Sequence, residues 1–305
     1  MKSPYPYFGG KSRIAELVWS RFGDVPNYVE PFFGSGAILL ARPHAPKIET
    51  VNDMDAYLTN FWRALAADPD AVANWADNPV NELDLQSRHR WLKNQNIERM
   101  RADPDYYDVK IAGWWVWGIS CWIGGGWCDK LHAKRPHLGN AGRGINRMNL
   151  GRPHLGRDQG IHAKFRSGGV CEYLRLLSDR VRWVRVCCGD WSRVTGDSVT
   201  IFNGTTAVFL DPPYFSPDRA NIYNHDCREL AKRVEIWAIG KGSDPRYRIA
   251  LCGYEGDYQM PSSWECVAWK ASGGYANKNK ANNNAGKERI WFSPHCLKDS
   301  QWRLF

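Results

Sequence analysis

The chain has 305 residues, 43% of them hydrophobic, and a formal net charge of +9. That length supports a large core, and no run of about 18 apolar residues exists to cross a membrane. Nine cysteines without a C-x-x-C pair argue against a disulfide framework and suit reduced, mostly buried thiols. The opening residues MKSPYPYFGGKSR lack an apolar signal core, so a cytoplasmic protein is expected.

After the turn FGGK, the stretch RIAELVWSRF places Ile14, Leu17, Val18 and Phe22 on one helical face. NYVEPFFGSGAILLA then reads as a short strand, a glycine turn and a helix opening near Ser35. KIETVNDMD reads as a second strand ending in acids, and Leu58, Phe61, Trp62 and Leu65 follow at helical spacing. This rhythm predicts an open, mostly parallel α/β sheet.

The rhythm breaks between about 80 and 168. RHRWLKNQNIERM is predicted helical, and the tryptophan-rich 111–123 a buried helix. Five tryptophans (114, 115, 117, 122 and 127) fall here, and Trp127, set among glycines, is the one expected at the surface. Residues 124–169 hold eleven glycines and little hydrophobic period, which predicts loops. RPHLG occurs at 135–139 and again at 152–156, too short a repeat for a solenoid. Residues 130–166 carry nine basic side chains against one acidic, a local charge of +8 on an otherwise nearly neutral chain. Such a block fits a polyanion partner. Four histidines (132, 137, 154, 162) with Cys121 and Cys128 invite a zinc reading. The C-x6-C spacing does not suit common fingers, and no metal is expected.

Alternation resumes at 170. YLRLLSDRV reads as a helix, WVRVCCGDW as a strand ending at Asp190, and TAVFLDPPY as another strand. RELAKRVEIWAI is helical, RYRIALCGY a strand, and WECVAW with ERIWFS a closing antiparallel pair. Between the last two lies the polar tract ASGGYANKNKANNNAGK, read as a loop.

Several residues are candidates for chemistry. Glu30 ends the first strand, with Gly34 and Gly36 in the turn behind it, where glycine lets backbone approach a ligand closely. An acid before that turn disfavours a phosphate and suits a cationic or zwitterionic head. Asp53 lies 17 residues beyond Gly36, where nucleotide-binding α/β folds place a ribose-binding acid. Asp55 reads as a helix cap, and Asp190 as a partner for an adenine amine or a solvated strand-end acid. In LDPPY, Asp211 and the Pro212 carbonyl can accept both hydrogens of an exocyclic amine. Pro213 stiffens the turn and Tyr214 offers a stacking face. A proline pair alone would be only a turn; the flanking acid and aromatic make the case.

PYFGGK, EPFFGSGA, NDMD and LDPPY, in this order, resemble the Dam-type DNA adenine methyltransferase family over roughly 1–65 and 170–295. The resemblance implies a Rossmann-like methyltransferase sheet with helices on both faces and an inserted target-recognition domain. It divides the chain into a catalytic part, 1–80 with 169–305, and a basic insertion, 81–168. It implies S-adenosylmethionine as donor and the 6-amino group of a flipped adenine in double-stranded DNA as acceptor. Asp211, Pro212, Pro213 and Tyr214 would be the catalytic tetrad. Tyr7, Lys11, Glu30, Phe32, Gly34, Gly36, Asp53 and Asp190 would line the cofactor. The insertion matches poorly, so its Arg135, Arg143, Arg147, Arg152 and Arg157 are DNA-contact candidates from charge alone. The compartment expected is the cytoplasm of a bacterium or a phage-infected host, and a stand-alone enzyme is expected because no nuclease-like segment is visible.

Two alternatives remain at this level. One is methylation of a cytosine 4-amino group, where serine more often replaces the first acid. The other is an idle DNA-binding protein of the same fold. A carbon-5 cytosine enzyme needs a Pro-Cys nucleophile, and the chain has no such pair. RNA as substrate fits the motif order less well than DNA.

Overall fold

A computed structural model of the chain describes residues 1–6, 11–103, 105–122, 127–128, 169–214, 221–269 and 288–298, less the side chains of 102 and 221–227. Tyr7, Arg135, Arg143, Arg147, Arg152, Arg157, the RPHLG repeat and the Asn/Lys/Gly tract lie outside the described residues. Packing divides the chain into a helical unit, Met1–Phe8 with Met54–Gly189, and a sheet unit, Gly9–Asp53 with Asp190–Phe305.

The sheet unit starts with helix α1 (Ala15–Phe22), which buries Ala15, Val18, Trp19 and Phe22 at helical spacing. The Trp19 indole N–H donates to the Ile38 carbonyl at 2.8 Å. The helix stops at Gly23, whose φ of +62° strains any residue with a Cβ. Strand β1 (Asn27–Glu30), the one-turn helix α2 (Ala37–Leu40) and strand β2 (Ile48–Asp53) follow.

The helical unit comprises α3 (Ala56–Ala67), α4 (Pro69–Ala76), α5 (Glu82–Lys93), α6 (Ile97–Ala102), α7 (Val109–Cys121), α8 (Val170–Val181) and strand β3 (Arg185–Cys188). Helices α3 to α7 each open on a side chain that accepts a first-turn N–H: Asp55, Asp68, Asn81, Asn96 and Asp108. Asp55 is therefore the cap that the sequence suggested. The tryptophan-rich segment is the helix α7, packed on α3, α4 and α5. Trp115 and Trp117 are fully buried. Tyr5 meets Trp115 edge-on at 4.9 Å and accepts a hydrogen bond from the Trp62 indole at 3.1 Å. Lys110 Nζ lies 4.5–5.0 Å from the ring centres of Trp75, Trp91 and Trp114. Trp127 differs from expectation: it is half-buried, donates to the Trp115 carbonyl at 3.1 Å, and lies against Gly118. A Cβ at Gly118 would come within 1.9 Å of its ring, so the missing side chain is the seat for the indole.

The chain returns to the sheet unit with β4 (Thr206–Leu210), α9 (Asn221–Gly242), β5 (Tyr247–Tyr254), β6 (Glu265–Ala268) and β7 (Glu288–Phe292). Six strands of this unit hydrogen-bond in the order β2-β1-β4-β5-β7-β6. β2, β1, β4 and β5 are parallel, and β7 runs antiparallel to β5 and β6. The closing antiparallel pair read from the sequence is present. β4 is buried at every residue, as a central parallel strand covered on both faces must be. α1 and α9 both pack on β5. The mixed α/β sheet is that of a Rossmann-like fold. Beneath it, Arg42 and Glu49 form a buried ion pair at 3.1 Å, and Arg42 also donates to the Val25 carbonyl.

Candidate active site

Glu30 and Asp53 are the last residues of β1 and β2, Asp211 directly follows β4, and Tyr254 ends β5. All four sit at carboxyl ends of parallel strands. β2 and β4 lie on opposite sides of β1, so the order of the sheet switches there. In open α/β sheets the crevice at such a switch is where ligands bind.

Around Asp211 the chemistry is dense. Lys11 Nζ lies 3.0 Å from Asp211 Oδ1, and the lysine is nearly fully buried. The ammonium also stands 4.8 Å from the centre of the Tyr214 ring and 5.5 Å from that of Trp269. Burial alone would lower the lysine pKa, but Asp211, Cys252 and Glu288 outweigh it and hold Lys11 above its ordinary value. Lys11 is thus a fixed cation. Tyr214 meets Tyr254 edge-on at 4.8 Å. Burial, reinforced by Asp211, Cys252 and Glu288, pushes its phenol well up, so the hydroxyl keeps its proton.

At the end of β1, the buried Glu30 accepts a hydrogen bond from the Tyr28 hydroxyl at 2.7 Å. Burial pushes its carboxyl well above the ordinary range; the Tyr28 bond opposes that shift and the charge of Asp211 adds to it. The turn behind it needs its glycines: φ is +51° at Gly34 and +67° at Gly36, which precedes α2. Asp53 Oδ2 accepts the Gly34 N–H at 3.0 Å, tying the end of β2 to that turn. The ring of Phe32 stacks on Trp191, with centres 6.1 Å apart and planes 26° from parallel. Asp190 lies next to Trp191 in sequence, accepts the Ser192 N–H at 3.0 Å and sits 3.4 Å from Arg233. Those bonds, the Ser192 hydroxyl first, hold its carboxyl below its ordinary range.

Of the sequence candidates, Asp211, Tyr214 and Lys11 come together directly. Glu30 is near enough to Asp211 for its charge to be felt, and Asp53, Gly34 and Gly36 form one turn. Pro212 is buried and Pro213 exposed. Lys11 lies on Asp211, the acid of the tetrad, a pairing that the sequence reading did not anticipate. Trp191, Trp269, Tyr254 and Glu288 also went unnoticed. The available signals were position alone: Trp191 follows Asp190, and Trp269 and Glu288 bracket the polar tract.

Residues 7–110, about a third of the chain, match the family described as D12 class N6 adenine-specific DNA methyltransferase. Over that stretch the chain is similar to this family, which supports an enzyme that methylates adenine in DNA. The matched stretch contains Lys11, Glu30, Phe32, Gly34, Gly36 and Asp53, and ends before Asp190 and Asp211. No curated protein matches the chain. Among the described residues, no helix is long and apolar enough to cross a membrane.

Proposed function

We propose that the residues around Asp211 perform methyl transfer to the 6-amino group of adenine, with S-adenosylmethionine as the donor. The observation that carries this reading is the Lys11–Asp211 ion pair at the carboxyl end of β4, beside the switch in strand order. The donor fits the residues present. Gly34 and Gly36 leave the turn without side chains, and Glu30 can meet an ammonium head. Asp53 ends β2 beside that turn, the position suited to a ribose hydroxyl, and the Phe32–Trp191 pair is an apolar wall for an adenine ring. When bound, S-adenosylmethionine supplies a methyl group on a positively charged sulfur. Asp190 serves its own turn and is assigned only to the edge of that adenine pocket.

Asp211 and the Pro212 carbonyl would each accept one hydrogen of the target amine. That orients the N6 lone pair along the line of transfer, and Tyr214 stacks on the base. In this arrangement N6 would take the methyl, the sulfur leaving as a neutral thioether, and the proton that N6 sheds would pass through Asp211, which already accepts its hydrogen bond, to solvent. Lys11 holds Asp211 in a single orientation and fixes local charge before substrate arrives, so little reorganisation is needed. Extruding the base from the duplex costs about a few kcal/mol. The basic segment within 81–168, with Arg135, Arg143, Arg147, Arg152 and Arg157, is assigned to the phosphate backbone of double-stranded DNA. Around six phosphate contacts would give a log–log salt slope of about −5. A short or relaxed recognition site, and action without a protein partner, complete the reading.

The test is nucleoside mass spectrometry on unmethylated DNA incubated with the protein and donor, beside D211A. The expected result is N6-methyldeoxyadenosine, lost by about a thousandfold or more in D211A while donor binding persists. Methyl on deoxycytidine would overturn the choice of base, and an active D211A the choice of site.

A further inference from the structure

We propose that Glu288 is a positioning residue for the transfer, fixing Tyr214 through its hydroxyl once the target base arrives. The proposal rests on the reading of Asp211 and Tyr214 given above.

Glu288 is the first residue of β7 and pairs with Tyr254 across the antiparallel ladder. Directly paired residues project to the same face of a sheet, with Cβ atoms about 5 Å apart. The Tyr254 ring touches the Tyr214 ring, so the register of β7 delivers the Glu288 carboxyl to the corner occupied by Tyr214. The Glu288 carbonyl also accepts the Trp269 N–H at 3.1 Å, and the Trp269 ring faces Lys11. One residue thereby serves two walls of the site.

The polar atoms in this corner are incompletely matched. Glu288 is 5% exposed, and neither its Oε2 nor the Tyr214 hydroxyl, both buried, makes a well-formed hydrogen bond among the described residues, although the two are close enough to act on each other. Buried polar atoms left in that state are uncommon and costly. One is an acceptor and the other a donor, so each completes the other. Burial raises the Glu288 carboxyl above its ordinary range, with Lys11 opposing, Asp211 adding to the shift and the Tyr214 hydroxyl opposing it.

Asp211 is the competing acceptor for the Tyr214 hydroxyl. Its Oδ1 is already engaged by Lys11, and in the proposed reaction its other oxygen is given to the adenine amine. With the base in place, Glu288 is the carboxyl left to hold the phenol. Hydrogen bonds that matter in catalysis are often long or unformed before the substrate binds. A free phenol would let the stacking ring tilt; a held one keeps its plane fixed.

The experiment is a double-mutant cycle of E288A and Y214F, with E288Q as the conservative variant. Readouts are kcat, the KM for DNA, donor affinity by calorimetry, thermal unfolding, and fluorescence of 2-aminopurine at the target position. E288A is expected to lower kcat about tenfold with donor affinity unchanged and with brighter, less stacked 2-aminopurine. Y214F should show a similar loss, and the double variant should be no worse than either, because both remove one bond. E288Q should recover activity to within about threefold of the parent. Losses that multiply in the double variant, or an E288A loss that tracks unfolding and is not recovered by Gln, would overturn the proposal. So would a silent E288A. A D211A that remains active would instead sink the underlying assignment, whatever the cycle shows.

Discussion

The helical unit and the Asp211 end of the sheet unit distribute unmatched buried polar atoms differently: the first leaves Thr59 Oγ1 and Arg88 Nη1 in separate places, the second gathers several at one corner. In the helical unit, helices α3 to α7 have side-chain caps, and Lys110 rests among tryptophan rings. Around Asp211, Tyr214 Oη, Glu288 Oε2 and the Trp269 indole nitrogen are buried without a well-formed hydrogen bond among the described residues, and so is the Trp191 indole nitrogen beside Asp190. The first arrangement is what stability alone selects. The second gives up some stability to hold groups ready for something not yet bound.

Lys11 offers the sharpest test of that contrast. K11A removes the charge facing Asp211 and is expected to cut kcat by about a thousandfold, the upper range for losing one preorganised electrostatic group. Thermal stability should fall only modestly, because the gain from the surrounding charges is partly offset by the lysine's own burial cost. Single-turnover kinetics beside a melting curve will decide. A large loss of stability with normal chemistry would erase the distinction.

E49A probes the structural side of the same unit. It leaves the buried Arg42 with only the distant, half-exposed Asp24, at 3.9 Å, as an acid partner, and breaking such a buried pair costs about 3 kcal/mol. Urea unfolding should show that loss, while kcat in the surviving folded protein stays near the parent value.

Glu30 lies between these extremes. Its carboxyl titrates above the ordinary range when folded, so in that window the folded chain holds a proton the unfolded chain has lost. Stability therefore falls as pH rises from the normal carboxylate range toward the raised value, and E30Q should flatten that slope. Donor affinity should move the other way, rising with pH as the acid ionises to meet a cation. E30Q should weaken it about tenfold, in line with the loss of one charge-assisted hydrogen bond. Calorimetry and melting across pH 5 to about 8 would separate the two trends.

The smallest effect belongs to a cap. D108A removes the acceptor for the Ile111 N–H and should cost about 1 kcal/mol without altering methylation. An activity loss there would mean that α7 matters to the reaction, contrary to the division drawn above.

Much of this was legible in the sequence. Parallel strands announce themselves as short apolar runs, and the acids that follow them are visible because charge interrupts the run; Glu30, Asp53 and Asp211 were found that way. Gly36 was readable because only glycine accepts its backbone easily. Lys11 was read as lining the cofactor, since nothing local says that its ammonium will cross to Asp211, 200 residues later in the chain. Glu288 was hidden for a related reason: which residue of β7 faces Tyr254 depends on ladder register, which sequence does not print. Trp127 was misjudged because surrounding glycines suggest exposure, when one glycine, Gly118, makes room for its ring.

The pairing of β7 with β5 also sets a rule for change by insertion or deletion. Side chains alternate along a strand, so a one-residue slip within Glu288–Phe292 would send Glu288, Ile290 and Phe292 to the opposite face. Single-residue indels within that strand should therefore be purged.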